Sequence, residues 1–212
     1  MRVAIHQPDL LPYSGFWFKM VESDLFAIAA HDQFQKHGYQ RRVAMRDRWC
    51  SHQLVGKPSL IPISSVMVVE GWQERICATI RGRYTGARHY RTRGLELVER
   101  IGACTAEHLH QVNLAMIEVV REMLEITTPM VVVEPPETSG TQRLIDTVTA
   151  LEGTEYLSGS GGAAYMGDDA AERFAAAGIE LRWSTHRHLT GDSIVTVLLD
   201  HDDPLAVIRQ RA

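Results

Sequence analysis

The chain has 212 residues, of which 45% are hydrophobic and 23% charged, with a formal net charge of −4. That balance allows a sizeable buried core in a single domain and excludes the strongly basic footprint of a protein that binds duplex nucleic acid. No stretch reaches the roughly 18 apolar residues that cross a bilayer, and Met1-Arg2 leads directly into Val3-Ala4-Ile5, too short an apolar run for a signal-peptide core.

Cys50, Cys77 and Cys104 are odd in number and lack CxxC spacing, which suits reduced thiols in a cytoplasmic protein. Cys77 and Cys104 read as packing residues, and Cys50 has no clear activating partner.

Val3 to Gln7 predicts a short strand stopped by Pro8. A loop through Pro12 and Gly15 follows, then a helix over about 16 to 22 and a second strand from Leu25 to Ala30. The first loop sits at the carboxyl end of a strand, where open α/β sheets take their ligands. From 33 to about 70 the pattern changes to short β-like runs at 42–45, 51–55 and 65–69, which predicts a small antiparallel β-rich insertion.

The middle of the chain is helical. A short helix is expected near Leu95 to Gly102, and Leu109, Val112, Met116, Val119 and Met123 form one apolar stripe on a longer one. Met130 to Val133 reads as a strand covered on both faces. A helix over 141–152, a strand at 155–158, a helix capped by Asp168 and a strand at 179–183 complete a βαβαβ order. Residues 184–191 read as a loop and Ser193 to Leu199 as a further strand. A short last helix has Asp203 as cap and Pro204 at its first position. The fold class is therefore α/β, a mostly parallel sheet flanked by helices, in one domain that carries the β-rich insertion.

Three groups of residues can carry chemistry. His6, with Gln7, Pro8 and Asp9, stands at the end of the first strand, where an imidazole can serve as acid or base with Asp9 to orient it; the competing reading is a core histidine bonded to a carbonyl. His31, Asp32, Gln33, Lys36, Gln40, Arg41 and Arg42 form a run of polar groups past the second strand. Adjacent first and second strands bring His31 or Asp32 near His6, and the cations suit a small anion.

The third group is Ser158-Gly159-Ser160-Gly161-Gly162, a glycine-rich turn after a strand, whose backbone N–H groups can receive an anion or oxyanion. A serine nucleophile is disfavoured, because Ser158 stands where the G-x-S-x-G elbow around Ser160 needs glycine. Arg143 can join this turn if both crossovers open on the same edge. No metal is expected, since His186-x-His188, His201-Asp202 and His108-x-His110 lack diagnostic spacing. No cofactor is identified by these residues, and completion of the site by a second copy of the chain stays open.

The block IHQPDLLPYSGFWFKM, the block SDLFAIAAHDQFQKHGYQRR and the later TQRLIDTVTALEGTEYLSGSGG resemble, in spacing and order, three signature blocks of the WbqC-like family. These are bacterial proteins associated with surface-polysaccharide and natural-product biosynthesis. The chain departs from the family pattern at Ala30, where a paired aspartate is common, and at Ser160, where proline is usual. The resemblance implies a biosynthetic enzyme acting on a small, anionic metabolite. A transferase of an acyl, aminoacyl or related group onto an amino-sugar or amino-acid-derived acceptor fits that context. Two alternatives are a nucleotidylyltransferase-like enzyme, for which Phe16 stands where a second histidine is wanted, and a non-catalytic accessory protein that binds a metabolite.

Overall fold

A computed structural model describes residues 1–187 and 191–212. In chain order the strands are β1 (Arg2–His6), β2 (Leu25–Ile28), β3 (Arg42–Met45), β4 (Arg48–Ser51), β5 (Met130–Val132), β6 (Glu155–Ser158) and β7 (Glu180–Trp183). The helices are α1 (Ser14–Val21), α2 (Trp72–Tyr84), α3 (Leu95–Gly102), α4 (Leu109–Met123), α5 (Gly140–Ala150), α6 (Ala163–Met166), α7 (Ala170–Ala176), α8 (Ile194–Asp200) and α9 (Pro204–Ile208).

Five strands pair in parallel in the order β5-β2-β1-β6-β7, and β3 and β4 form a separate antiparallel hairpin. This is the α/β architecture that the alternating pattern predicts. The chain builds the sheet outward from β1 through β2 to β5, then returns to the other side of β1 for β6 and β7. The direction of winding reverses between β1 and β6, and that switch point leaves a crevice outside the strands' carboxyl ends.

Both faces of the sheet are covered, and the strand period of two decides which residue faces which layer. Ala4, Phe26 and Ile28 join the large core with α1, α4 and α8, whereas Val3 and Ala27 join a smaller core with α5 and α7. Two-sided burial explains why the sequences of β1 and β2 are nearly continuous apolar runs.

The hairpin is held by its surroundings. Its turn residues Arg46 and Asp47 both have positive φ, 53° and 58°, without a glycine. Asp192, just before α8, accepts hydrogen bonds from both turn N–H groups at 3.1 and 3.4 Å, and Asp200 takes the Arg46 guanidinium at both its oxygens.

Several elements differ from the sequence expectation. Ser193 to Leu199 is not a strand: α8 runs Ile194–Asp200, with the Ser193 hydroxyl accepting from Val195 N–H at 3.3 Å. Its β-branched residues suggest extended chain, but Ile194, Val195, Leu198 and Leu199 bury a helical face, and packing overrides a propensity difference of a few tenths of a kcal/mol each. Between 51 and 70 the predicted strands reduce to isolated bridges, Leu54 with Val68 and Met67 with His108, around a single 3₁₀ turn at Ile63–Ser65. β5 is an edge strand with Val132 55% exposed, not a strand covered on both faces. Asp169, not Asp168, precedes α7, and its side chain makes no capping hydrogen bond. Among the described residues no helix is long and apolar enough to cross a membrane.

Candidate functional site

The segment between β1 and α1 lies at the switch point and is pinned on several sides. Asn113 of α4, fully buried, donates to Pro8 O and Gln40 O at 2.8 Å each, and accepts at its carbonyl from His52 Nε2 at 3.1 Å. Leu10 N–H donates to Tyr39 O at 2.9 Å, Ser193 Oγ to Leu11 O at 2.8 Å and Trp17 Nε1 to Pro12 O at 3.0 Å. Leu11 itself is buried with φ of 39°, a left-handed backbone that costs about 1 kcal/mol and persists because neighbours over-determine it.

Within this frame a cavity of about 280 Å³ opens. Tyr13, Gly15 and Lys19 line it from the first loop and helix, Gly159 from the turn after β6, and Ser184 and His186 from the segment after β7. Gly15 must lack a side chain, since a Cβ there would stand 2.5 Å from the Tyr13 ring. The first loop and the glycine-rich turn thus share one cleft, because β1 and β6 are neighbours in the sheet.

Lys19 is the residue that sequence reasoning missed. Seven of the eight residues of α1 are buried, and Lys19 is one of them at 6% exposed. A lysine inside SGFWFKMV, a helix with no polar face to carry it, is the signal that finds it. Burial pulls its pKa down to about 8, against the opposing effect of the Asp9 charge.

Asp9 is 5% exposed, and one of its oxygens, Oδ1, has no hydrogen-bond partner among the described residues. Burial pushes its pKa up to about 7, with Lys19 working in the opposite direction. A buried acid and a buried amine therefore both titrate close to neutrality, which is the condition for proton transfer in either direction at physiological pH.

His6 has a different character. Burial and then the Lys19 charge lower its pKa to about 3, so it is neutral at pH 7, and a bond to the Gln7 carbonyl opposes that shift. Its Nδ1 lies 3.0 Å from Gln7 O, and a carbonyl only accepts, so Nδ1 carries the proton and Nε2 is left as acceptor. Nδ1 is 3.6 Å from Asp9 Oδ2, beyond hydrogen-bond length, and Phe16 packs its edge on the imidazole with centroids 4.8 Å apart. The reading of a histidine bonded to a carbonyl thus holds for Nδ1.

The polar run after β2 divides. Asp32 is held from three sides: Gln7 Nε2 donates to it at 2.8 Å, Arg143 closes an ion pair with its other oxygen, and His31 Nε2 lies 3.6 Å away. Gln40 Nε2 in turn donates to Gln7 Oε1. Arg143 therefore serves Asp32, and this network fixes the loop after β1 to the loop after β2. Gln33, Lys36 and Arg41 line a second cavity, of about 430 Å³. Arg42 faces neither cavity: its guanidinium stacks 4.2 Å above Trp49 and its Nε donates to His37 O.

In the turn after β6, Gly159 reaches the first cavity, Gly162 N–H donates within the turn to Gly159 O, and the buried Ser158 hydroxyl donates to the same carbonyl at 3.2 Å. The side chain of Ser160 lies outside the described part of the structure, as does His188. Of the turn's glycines, Gly159 lines the cavity among the described residues, and Gly161 and Gly162 do not. Among the described residues no three His, Cys, Asp or Glu side chains gather as a metal centre.

A family model described as the WbqC-like protein family matches residues 7–190. The chain belongs to the WbqC-like family. No curated protein and no solved structure matches it. The matched span of this WbqC-like protein takes in Asp9, Lys19, the Asp32 network and the turn after β6; His6 lies one residue outside it.

Proposed function

We propose that this WbqC-like protein is a small-molecule biosynthetic enzyme that transfers an acyl, aminoacyl or related group onto an amino-sugar or amino-acid-derived acceptor, with the chemistry in the cavity at the β1/β6 switch point. The observation that carries this reading is Asp9, a buried carboxyl with one oxygen unpartnered among the described residues and a pKa of about 7, which feels the charge of the buried Lys19 amine.

Attack by an amine on a carbonyl needs a base for the amine's proton and a positive group for the charge that develops on oxygen. Asp9 takes the proton from the attacking nitrogen, and Lys19 stabilises the oxyanion or the departing anionic group. Neutral His6 offers Nε2 as an acceptor that orients the acceptor's N–H or O–H. Its pKa of about 3 makes it a poorer base than Asp9, so the acid–base role expected of His6 passes to Asp9.

The test is product formation, followed by mass spectrometry, from coenzyme A thioesters and acyl or aminoacyl adenylates with amino-sugar nucleotides and amino acids as acceptors. Transfer by the wild-type protein, and its loss in Asp9→Asn with the far-UV spectrum intact, is expected. Binding of acceptors without turnover from any donor would overturn the enzymatic reading in favour of an accessory role.

A second reading, nucleotidylyl transfer, draws on the Lys19 cation beside Gly159 at the end of β6. It is weakened by Phe16, fully buried against His6, where that chemistry wants a second imidazole. Release of pyrophosphate from ATP with a candidate acceptor would favour it.

A further inference from the structure

The second cavity, of about 430 Å³, lies between the segment 33–41 and the segment 54–60. Lys36, Arg41 and Lys57 line it, and among the described residues no acidic one does. Three cations around one concavity repel one another, and in a chain of net charge −4 that arrangement is local and opposite to the whole. A concave surface of one sign concentrates counter-charge. Phe34, Leu54 and Leu60 give the wall an apolar part, and Gln33 and Ser59 add neutral polar groups.

Leu60 supplies an independent observation. It sits at the cavity with φ of 55° and is 79% exposed. A non-glycine residue in the left-handed region costs about 1 kcal/mol or more, and nothing in the core gains from an exposed leucine. Its backbone is nonetheless held, because Phe34 N–H donates to Ile61 O at 2.8 Å and Ile63 N–H to Asp32 O at 2.9 Å. The same bonds tie this wall to Asp32 and hence to the network at the switch point. Tyr39, between Lys36 and Arg41 in the chain, lines the other cavity, so one segment borders both.

We propose that this cavity is a second ligand site, for an organic phosphate whose anion meets Lys36, Arg41 and Lys57 and whose apolar or aromatic portion lies against Phe34, Leu54 and Leu60. A phosphate diester or pyrophosphate offers several acceptor oxygens to three separate donors, and Leu60 is held at the position where it covers the organic part. Use of the site for the donor of a transfer reaction rests on the function proposed above; binding does not.

The experiment is calorimetric titration of the full chain with coenzyme A, ATP and inorganic pyrophosphate at low and high salt. At least one organic phosphate is expected to bind more tightly than pyrophosphate. The Lys36→Glu/Lys57→Glu variant, altered at two exposed side chains, is expected to weaken binding by at least about tenfold and to flatten its salt dependence. Leu60→Gly is expected to weaken the organic phosphate but not pyrophosphate. Asp9→Asn is expected to bind as the wild type does, so that loss of turnover with binding retained separates a failure of the transferase reading from a failure of this site. Absence of binding by all three probes, or full affinity in the double variant, would overturn the proposal. Loss of binding in Asp9→Asn would place the anion in the other cavity and overturn it equally.

Discussion

Gly159 lies against Lys19 so closely that a Cβ on the glycine would stand 3.8 Å from the lysine Nζ. Both residues line the switch-point cavity, Gly159 from the turn after β6 and Lys19 from the helix after β1. The separation from Nζ is an ordinary contact distance at φ −71°, so Gly159→Ala is expected to change stability by no more than about 0.5 kcal/mol. Gly159→Leu extends into the cavity and is expected to cut turnover about a hundredfold. Gly162→Ala behaves differently: its Cβ would collide with Ser158 Oγ and stand 2.9 Å from Met166 Cε, costing about 1–3 kcal/mol. Urea unfolding of the three variants, with product formation for the first two, checks the contrast.

The Asp9 and Lys19 pair predicts a narrow pH–rate profile. Rate rises as Asp9 ionises through about 7 and falls as Lys19 loses its proton through about 8, the two limbs belonging to the pair. Lys19 lowers the Asp9 pKa, so Lys19→Gln is expected to move the rising limb to higher pH as well as to slow the reaction. His6 titrates at about 3, and His6→Asn is expected to leave the position of both limbs within a few tenths of a unit. A rising limb near 6.5 that disappears in His6→Asn would count against the assignment of the base to Asp9.

Asn113 is expected to be among the most sensitive positions outside the cavity. Asn113→Leu removes two donors, leaving Pro8 O and Gln40 O unpaired, and takes the acceptor from His52. A loss of about 2–4 kcal/mol is expected from urea unfolding.

His52 adds a pH dependence to stability. Burial lowers its folded pKa to about 4 from an ordinary value of 6.5, so between these values the unfolded chain binds the proton and the folded one does not. The stabilisation is complete above pH 6.5 and is lost as pH falls toward 4. His52→Gln is expected to remove one proton's worth of that slope, about 1.4 kcal/mol per pH unit, in unfolding curves across this window.

Arg143 is expected to act through Asp32. Arg143→Met leaves a carboxylate with a side chain only 9% exposed without its cation, and a loss of about 2 kcal/mol is expected. Asp32→Asn/Arg143→Met, with neither charge, is expected to recover part of it. A double-mutant cycle by urea unfolding measures the coupling.

Residues close in sequence were read well and residues that meet through the fold were not. The strand at β1, the glycine-rich turn and the last helix with its Asp203 cap follow from local chemistry: an apolar run stopped by proline, a cluster of glycines after a strand, a capping carboxylate before proline. Asp203 indeed accepts from Ala206 N–H at 2.9 Å. The strand expected at 193–199 failed for a tertiary reason, since Ile194, Val195, Leu198 and Leu199 bury a helical face and the hydroxyl of Ser193 is bound to Leu11 O, 182 residues away in sequence. The expectation that adjacent first and second strands bring Asp32 toward the loop after β1 is met through Gln7, the neighbour of His6, which donates to Asp32, while Arg143 takes its other oxygen; that partner choice is a matter of side-chain direction and not of sequence.

By itself the sequence determined the class of the fold, because the periods of two and 3.6 and the order of strands and helices are local properties. It also marked the two loops at strand ends and the membership of the WbqC-like family. Which charges are buried was decided only by the tertiary structure. Lys19 and Asp9 are both buried because α1 packs on β1 and β2 with almost every side chain inside, and the removal of water, not residue type, brings their pKa values together.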